Sequence, residues 1–187
     1  QNNLANNLVL NMNGDFVFSM PQLDLTPYSI SVLSEPNNPV QTCDLSNPSG
    51  IINSQDVNGI NLVCNTQPNT VADKFMTLED GILTVQPGVI FNNDSDAEDD
   101  QLFVVNPGIF NTDGMGGLIF IDSDGGFEYL PNDNQFGQSD FSLDISDGFN
   151  TVSSLISIMT QPVNDAPEFS IIGDIDATQL LNSNNHQ

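Results

Sequence analysis

The residues best placed to do chemistry in this chain are carboxylates. Asp94, Asp96 and Asp99 lie within the run NNDSDAEDD at 92–100, at spacings a tight turn can fold toward one point. Calcium takes six to eight oxygens at about 2.3–2.6 Å, whereas magnesium keeps several waters and uses few carboxylates. The run therefore predicts calcium as the cofactor. Asp122-Ser123-Asp124-Gly125 has similar spacing, but a hairpin turn explains it as well, and it is read as a turn. Paired carboxylates can also cleave glycosides. Such enzymes need a cleft and usually aromatic sugar platforms; the chain has no Trp, and its two tyrosines, Tyr28 and Tyr129, fall in strand patterns. The only histidine, His186, sits in a polar tail, so neither a Ser-His-Asp triad nor a zinc site can be assembled. Lys74 among many asparagines is no evidence of an isopeptide bond. The expectation is a protein that is not an enzyme.

The charge balance limits the partners. The chain carries 25 Asp plus Glu against one Lys plus Arg, a formal net charge of -24. Nucleic acid and anionic membrane surfaces both need basic proteins and are set aside. The acidity suits divalent-cation binding, and also solubility in salty water. Without cations at low salt it should drive self-repulsion. Cys43 and Cys64 lie 21 positions apart (64 − 43), outside any C-x-x-C metal spacing. They are expected to form a disulfide, which places the chain in an oxidising compartment. The chain does not begin with Met and is read as a mature product or a piece of something longer.

The elements that must position these groups read as strands. Period-two alternation recurs at 7–11, 15–20, 28–33, 40–45 and 59–64, and again at 81–85, 102–105, 118–121, 127–130, 140–145 and 151–159. Asn13-Gly14 is a hairpin signal between the first two, and Asp124-Gly125 and Asp147-Gly148 mark later turns. The polar run TQPNTVAD at 66–73 suits a linker. Thr66-Gln67-Pro68 returns as Thr160-Gln161-Pro162, 94 positions later (160 − 66). That period is the size of an immunoglobulin-like sandwich.

Residues 71–167 resemble the cadherin-like repeats of very large bacterial adhesins. LEDG (78–81), NNDSDAEDDQLFV (92–104), GGFEYLPNDNQFGQSDFSLDISDG (125–148) and VNDAP (163–167) stand in that family's order and spacing. One departure is Asp99-Asp100-Gln101, where the family more often has Asp-Gly-Asp. Residues 4–65 resemble a bacterial immunoglobulin-like repeat that carries a cysteine pair, through GDFVFSM (14–20), YSISVLSEPNNPVQTC (28–43) and DVNGINLVC (56–64). That repeat usually begins with a further strand, which would leave one sheet edge open here.

These resemblances imply an all-β chain of tandem immunoglobulin-like and cadherin-like β-sandwich modules: 1–65 with the Cys43–Cys64 disulfide, 66–165 binding calcium, and 166–187 as a linker and the start of a further module or an exchangeable strand. A strand is expected there at 169–172, and 177–181 carries further apolar side chains. They also imply that Glu79 and Asp80 supply ligands ahead of a strand, and that Asn164 and Asp165 supply them at the junction between modules. The implied role is a structural or adhesive segment of a secreted bacterial surface protein, a calcium-rigidified spacer. The alternatives are a filament subunit assembled by strand exchange and a carbohydrate-binding module. Expected partners are neighbouring repeats or other copies of the chain, with surface glycans or proteins as further possibilities, and no membrane insertion.

Overall fold

A computed structural model describes residues 7–165 apart from Met115; the strand expected at 169–172 and the apolar side chains of 177–181 lie outside them. The described residues form β-strands and one 3-10 turn, Val89–Phe91, with no α-helix. Among the described residues no helix is long and apolar enough to cross a membrane.

Two sheets built from residues beyond 72 pack face to face. One holds β6 (Leu83–Val85), β11 (Phe127–Pro131), β10 (Gly117–Ile121) and β8 (Gly108–Asn111), in that order and antiparallel. The other holds β5 (Asp73–Leu78), β13 (Thr151–Gln161), β12 (Gly137–Ser146) and β7 (Phe103–Val104), with the short β9 (Asp113–Gly114) also pairing β12. The alternation read from the sequence sorts the side chains. In β10, Ile119 and Ile121 turn inward while Leu118 and Phe120 face out; in β13, Ile156 and Ile158 are buried. These meet Val85, Phe127, Tyr129, Val104, Phe141 and Leu143 in one core. Phe127 packs edge-to-face on both Phe75 and Phe141, at 5.2 and 5.9 Å between ring centres, the arrangement aromatic quadrupoles favour. Fully buried Tyr129 keeps its hydroxyl satisfied by donating to the Gly116 carbonyl at 2.8 Å. A Cβ at Gly117 (φ 139) would stand 2.5 Å from that ring, so only glycine lets the strand pass.

One pairing sets the module's polarity. β5 and β13 run parallel, Asp73 beside Ile156 and Leu78 beside Gln161. First and last strands thus point the same way, so the chain enters at one end of the sandwich and leaves at the other. β5 was not expected, since Asp73 was read as linker. Neither was β8, whose four residues are all exposed.

Before residue 67 the strands form two ribbons: β1 (Pro27–Ser29) with β3 (Ser49–Ile51), and β2 (Gln41–Ser46) with β4 (Asn61–Thr66). Cys43 and Cys64 are directly opposed across β2 and β4 and joined by the expected disulfide. Residues 7–11 and 15–20 are not strands. Alternation offers a strand one apolar face, but a strand also needs a neighbour's backbone groups, and among the described residues no pairing partner lies alongside either stretch. The period-two signal survives as half-burial: Phe16, Phe18, Tyr28, Ile30, Cys43, Leu45, Leu62 and Cys64 are half-buried, while Val9, Val17 and Leu23 are exposed.

Candidate metal centre

The expected ligands fall at the two ends of the sandwich. Asp73, at the start of β5, lies near enough to feel the charge of Asp94, whereas Glu79 follows the last residue of that strand. Six steps of strand separate them, about 20 Å at ~3.3 Å per residue, so the expected set is divided between two places.

At the entry end, the loop after the 3-10 turn is strapped to the segment before β5. Asn69 and Ser95 exchange backbone hydrogen bonds at 2.8 and 3.1 Å. The Val71 N–H donates to Asp94 Oδ1 at 2.8 Å, and Asn93 Nδ2 donates to the Val71 carbonyl at 3.2 Å. Asp96 Oδ1 accepts the N–H groups of Glu98 and Asp100, both at 3.0 Å, and curls the loop into an Asx turn. Asp94, Asp96, Asp99 and Asp100 line one open pocket together with Asp124 of the β10–β11 turn. That turn is the hairpin read from Asp122-Ser123-Asp124-Gly125: Gly125 N–H donates to the Asp122 carbonyl, and Gly126 N–H to Asp124 Oδ1.

The second carboxylate oxygen of both Asp94 and Asp96 is buried without a hydrogen-bond partner. A buried acceptor left bare costs about 1–3 kcal/mol, more when charged. Burial pushes the Asp94 carboxyl above its usual range. Asp73 is pushed up to about 6, by burial first and then by the charge of Asp94, against a hydrogen bond from Asn93. Two half-buried carboxylates that repel each other and bare oxygens beside them are what a hard, oxygen-seeking cation would relieve. Among the described residues, however, no three acidic, histidine or cysteine side chains group closely enough to hold a metal ion. The donor chemistry fits calcium, but the carboxylates alone do not complete a coordination shell.

Asp99 is exposed and left-handed, φ 62, a backbone state in which glycine is at ease and Asp is tolerated. The pattern's glycine was expected at Asp100. The left-handed residue is instead Asp99, one position earlier.

At the exit end, Glu79 is buried and its Oε1 accepts the Val163 N–H at 2.6 Å, while its own N–H donates to the Gln161 carbonyl at 2.8 Å. Asp80 beside it is exposed with φ 64. Asn164 and Asp165 are exposed one and two residues past Val163.

Three acidic residues used at the entry end were not singled out from the sequence. Asp73 was hidden in the linker reading. Glu98 and Asp100 reach across to the β2–β4 ribbon, and nothing local in sequence signals that. Asp147 was read only as a turn residue; it is buried, its Oδ1 accepts the N–H groups of Phe149 and Asn150, and its Oδ2 has no partner.

A family model described as a bacterial cadherin-like domain matches residues 65–162, more than half of the chain. Comparison with curated proteins and with solved structures finds no match.

Proposed function

The chain belongs to the bacterial cadherin-like domain family, and on that premise we propose that it is a structural and adhesive segment of a bacterial surface protein whose second module, 66–165, is stiffened by calcium. Domains of this family are typically non-catalytic and generally extracellular, and the Cys43–Cys64 disulfide suits that compartment. Residues 1–65 serve as the immunoglobulin-like module ahead of it, and the cadherin-like module's partners are its neighbours in the string.

The observation that carries the calcium reading is the pair of buried, partnerless oxygens on Asp94 and Asp96 beside the raised Asp73 carboxyl. Asp94 and Asp96, which line one pocket, would hold the ion, with backbone carbonyls and water completing the shell. The bound ion supplies positive charge, which removes the repulsion between Asp73 and Asp94. Binding to the folded form alone then adds to stability. The parallel β5–β13 pair supports a spacer role, because opposite entry and exit let modules follow one another in line.

Calorimetric titration of metal-stripped protein tests the reading. Calcium should bind, and Asp94→Asn should weaken it by roughly tenfold or more, since carboxylate count sets affinity in such sites. Equal affinity in the variant and the parent would remove Asp94 from the site; no heat or saturation at millimolar calcium would remove the site itself.

A further inference from the structure

Part of the acidic loop reaches onto another part of the chain. Glu98 uses both carboxylate oxygens there. Its Oε1 accepts Gln41 Nε2 and Thr66 Oγ1, both at 3.0 Å, and its Oε2 accepts the Thr66 N–H at 3.1 Å. Asp100 Oδ2 accepts Asn65 Nδ2 at 2.6 Å. The donors are the last two residues of β4 and the first of β2, a facing pair in the ribbon. The Gln41 N–H turns away from β4 to donate to the Pro36 carbonyl. In an antiparallel ladder both members of such a pair point their N–H groups outward, so the Thr66 N–H is an edge donor that needs an acceptor. Glu98 meets that need.

The grip has a second jaw. Asn65 is buried at 4% exposure, and its Oδ1 accepts Asn150 Nδ2 at 3.1 Å. Asn150 belongs to the turn between β12 and β13, where its N–H is held by Asp147 Oδ1 at 2.6 Å and its carbonyl by Ser146 Oγ at 2.7 Å. Asn65 is thus clamped between the acidic loop and that turn. The neighbouring Cys64 is covalently tied to Cys43 on β2, so what is fixed at Asn65 and Thr66 is fixed for the whole ribbon. Asp96 aims the loop: its Oδ1 takes the N–H groups of the same two residues, Glu98 and Asp100.

We infer that Glu98 and Asp100 form a protein-to-protein latch that grips Asn65 and Thr66 at the end of the preceding ribbon and sets the orientation of the two parts of the chain without needing a bound cation. This deepens the spacer reading and rests on it only in taking 1–65 and 66–165 as successive modules. It sets Asp94 and Asp96, which face the cation pocket, against Glu98, which faces the neighbour, while Asp100 lines the pocket and also grips the neighbour. A charge-assisted acceptor has roughly twice the strength of a neutral one, and its loss should show first in the N–H it covered.

The experiment is amide hydrogen exchange at Thr66, with inter-module orientation from residual dipolar couplings, on the full chain in excess chelator. Glu98→Ala should speed exchange at Thr66 by roughly tenfold or more and loosen the fixed orientation, while the calcium affinity of the Asp94 site stays within about twofold. Glu98→Gln keeps the size but turns one acceptor into a donor facing a donor, and should shift exchange the same way by less; it serves as the readout if the alanine variant loses its fold. Unchanged exchange in both variants would overturn the latch. So would protection of Thr66 seen only with calcium present, because Glu98 would then act through the ion. No calcium binding by the parent chain, with Thr66 still protected in chelator, would leave the latch standing and overturn only the calcium reading.

Discussion

At Asp73 the electrostatics of the entry end are concentrated in one side chain. Its carboxyl is raised to about 6 by burial and by Asp94, so the folded protein holds a proton there more tightly than the unfolded chain, whose ordinary value is 3.8. A raised folded value stabilises fully below the unfolded one and is lost as pH climbs through the folded one. Metal-free protein should therefore lose stability between about pH 4 and pH 6, and Asp73→Asn should flatten that part of the curve. Urea unfolding across this range in both proteins checks it; identical slopes would show that the net charge alone sets the trend. Asp94 and Asp96 were legible in the sequence because their spacing within one turn suffices to bring them together. Asp73 was not, because it meets Asp94 across 21 residues (94 − 73) and only once β5 is in place. Glu98 was illegible for the same reason: its partners Thr66 and Gln41 are 32 and 57 residues away.

Among the elements, the strands that could be read were those buried on one face. β10, β11, β12 and β13 alternate cleanly and lie in the core, as the sequence pattern required. β5 and β8 fully bury none of their side chains, and they escaped. Residues 7–11 and 15–20 erred the other way, since alternation describes one strand and pairing needs two. β5 also carries Lys74, and a charge on an edge strand discourages further strand addition. The parallel β5–β13 pair ends at Glu79, whose buried carboxylate secures Val163 as the chain leaves the sandwich. Glu79→Ala leaves that N–H without its charged acceptor and should cost about 1–3 kcal/mol, read as a lower melting temperature in chelator. A loss that appears only in calcium would instead make Glu79 a cation ligand with no structural part of its own.

For the molecule as a whole, a net charge of -24 opposes compactness and is most concentrated where two parts of the chain meet. Composition made that visible at once and argued against nucleic acid and anionic membrane, which bind basic surfaces. It could not show that the acidic loop faces two ways, Asp94 and Asp96 toward a pocket, Glu98 toward the β2–β4 ribbon and Asp100 toward both. The family motifs located the loop, and its left-handed residue is Asp99 rather than the Asp100 at which they placed a glycine. The central claim is that calcium stabilises the 66–165 module. Thermal unfolding at constant ionic strength, with calcium and then with excess chelator, tests it most directly. At one hundred times the dissociation constant a single site adds about 2.7 kcal/mol, which for a domain of this size raises the melting temperature on the order of ten degrees, and chelator should reverse the rise. The same melting temperature in calcium and in chelator would contradict the claim.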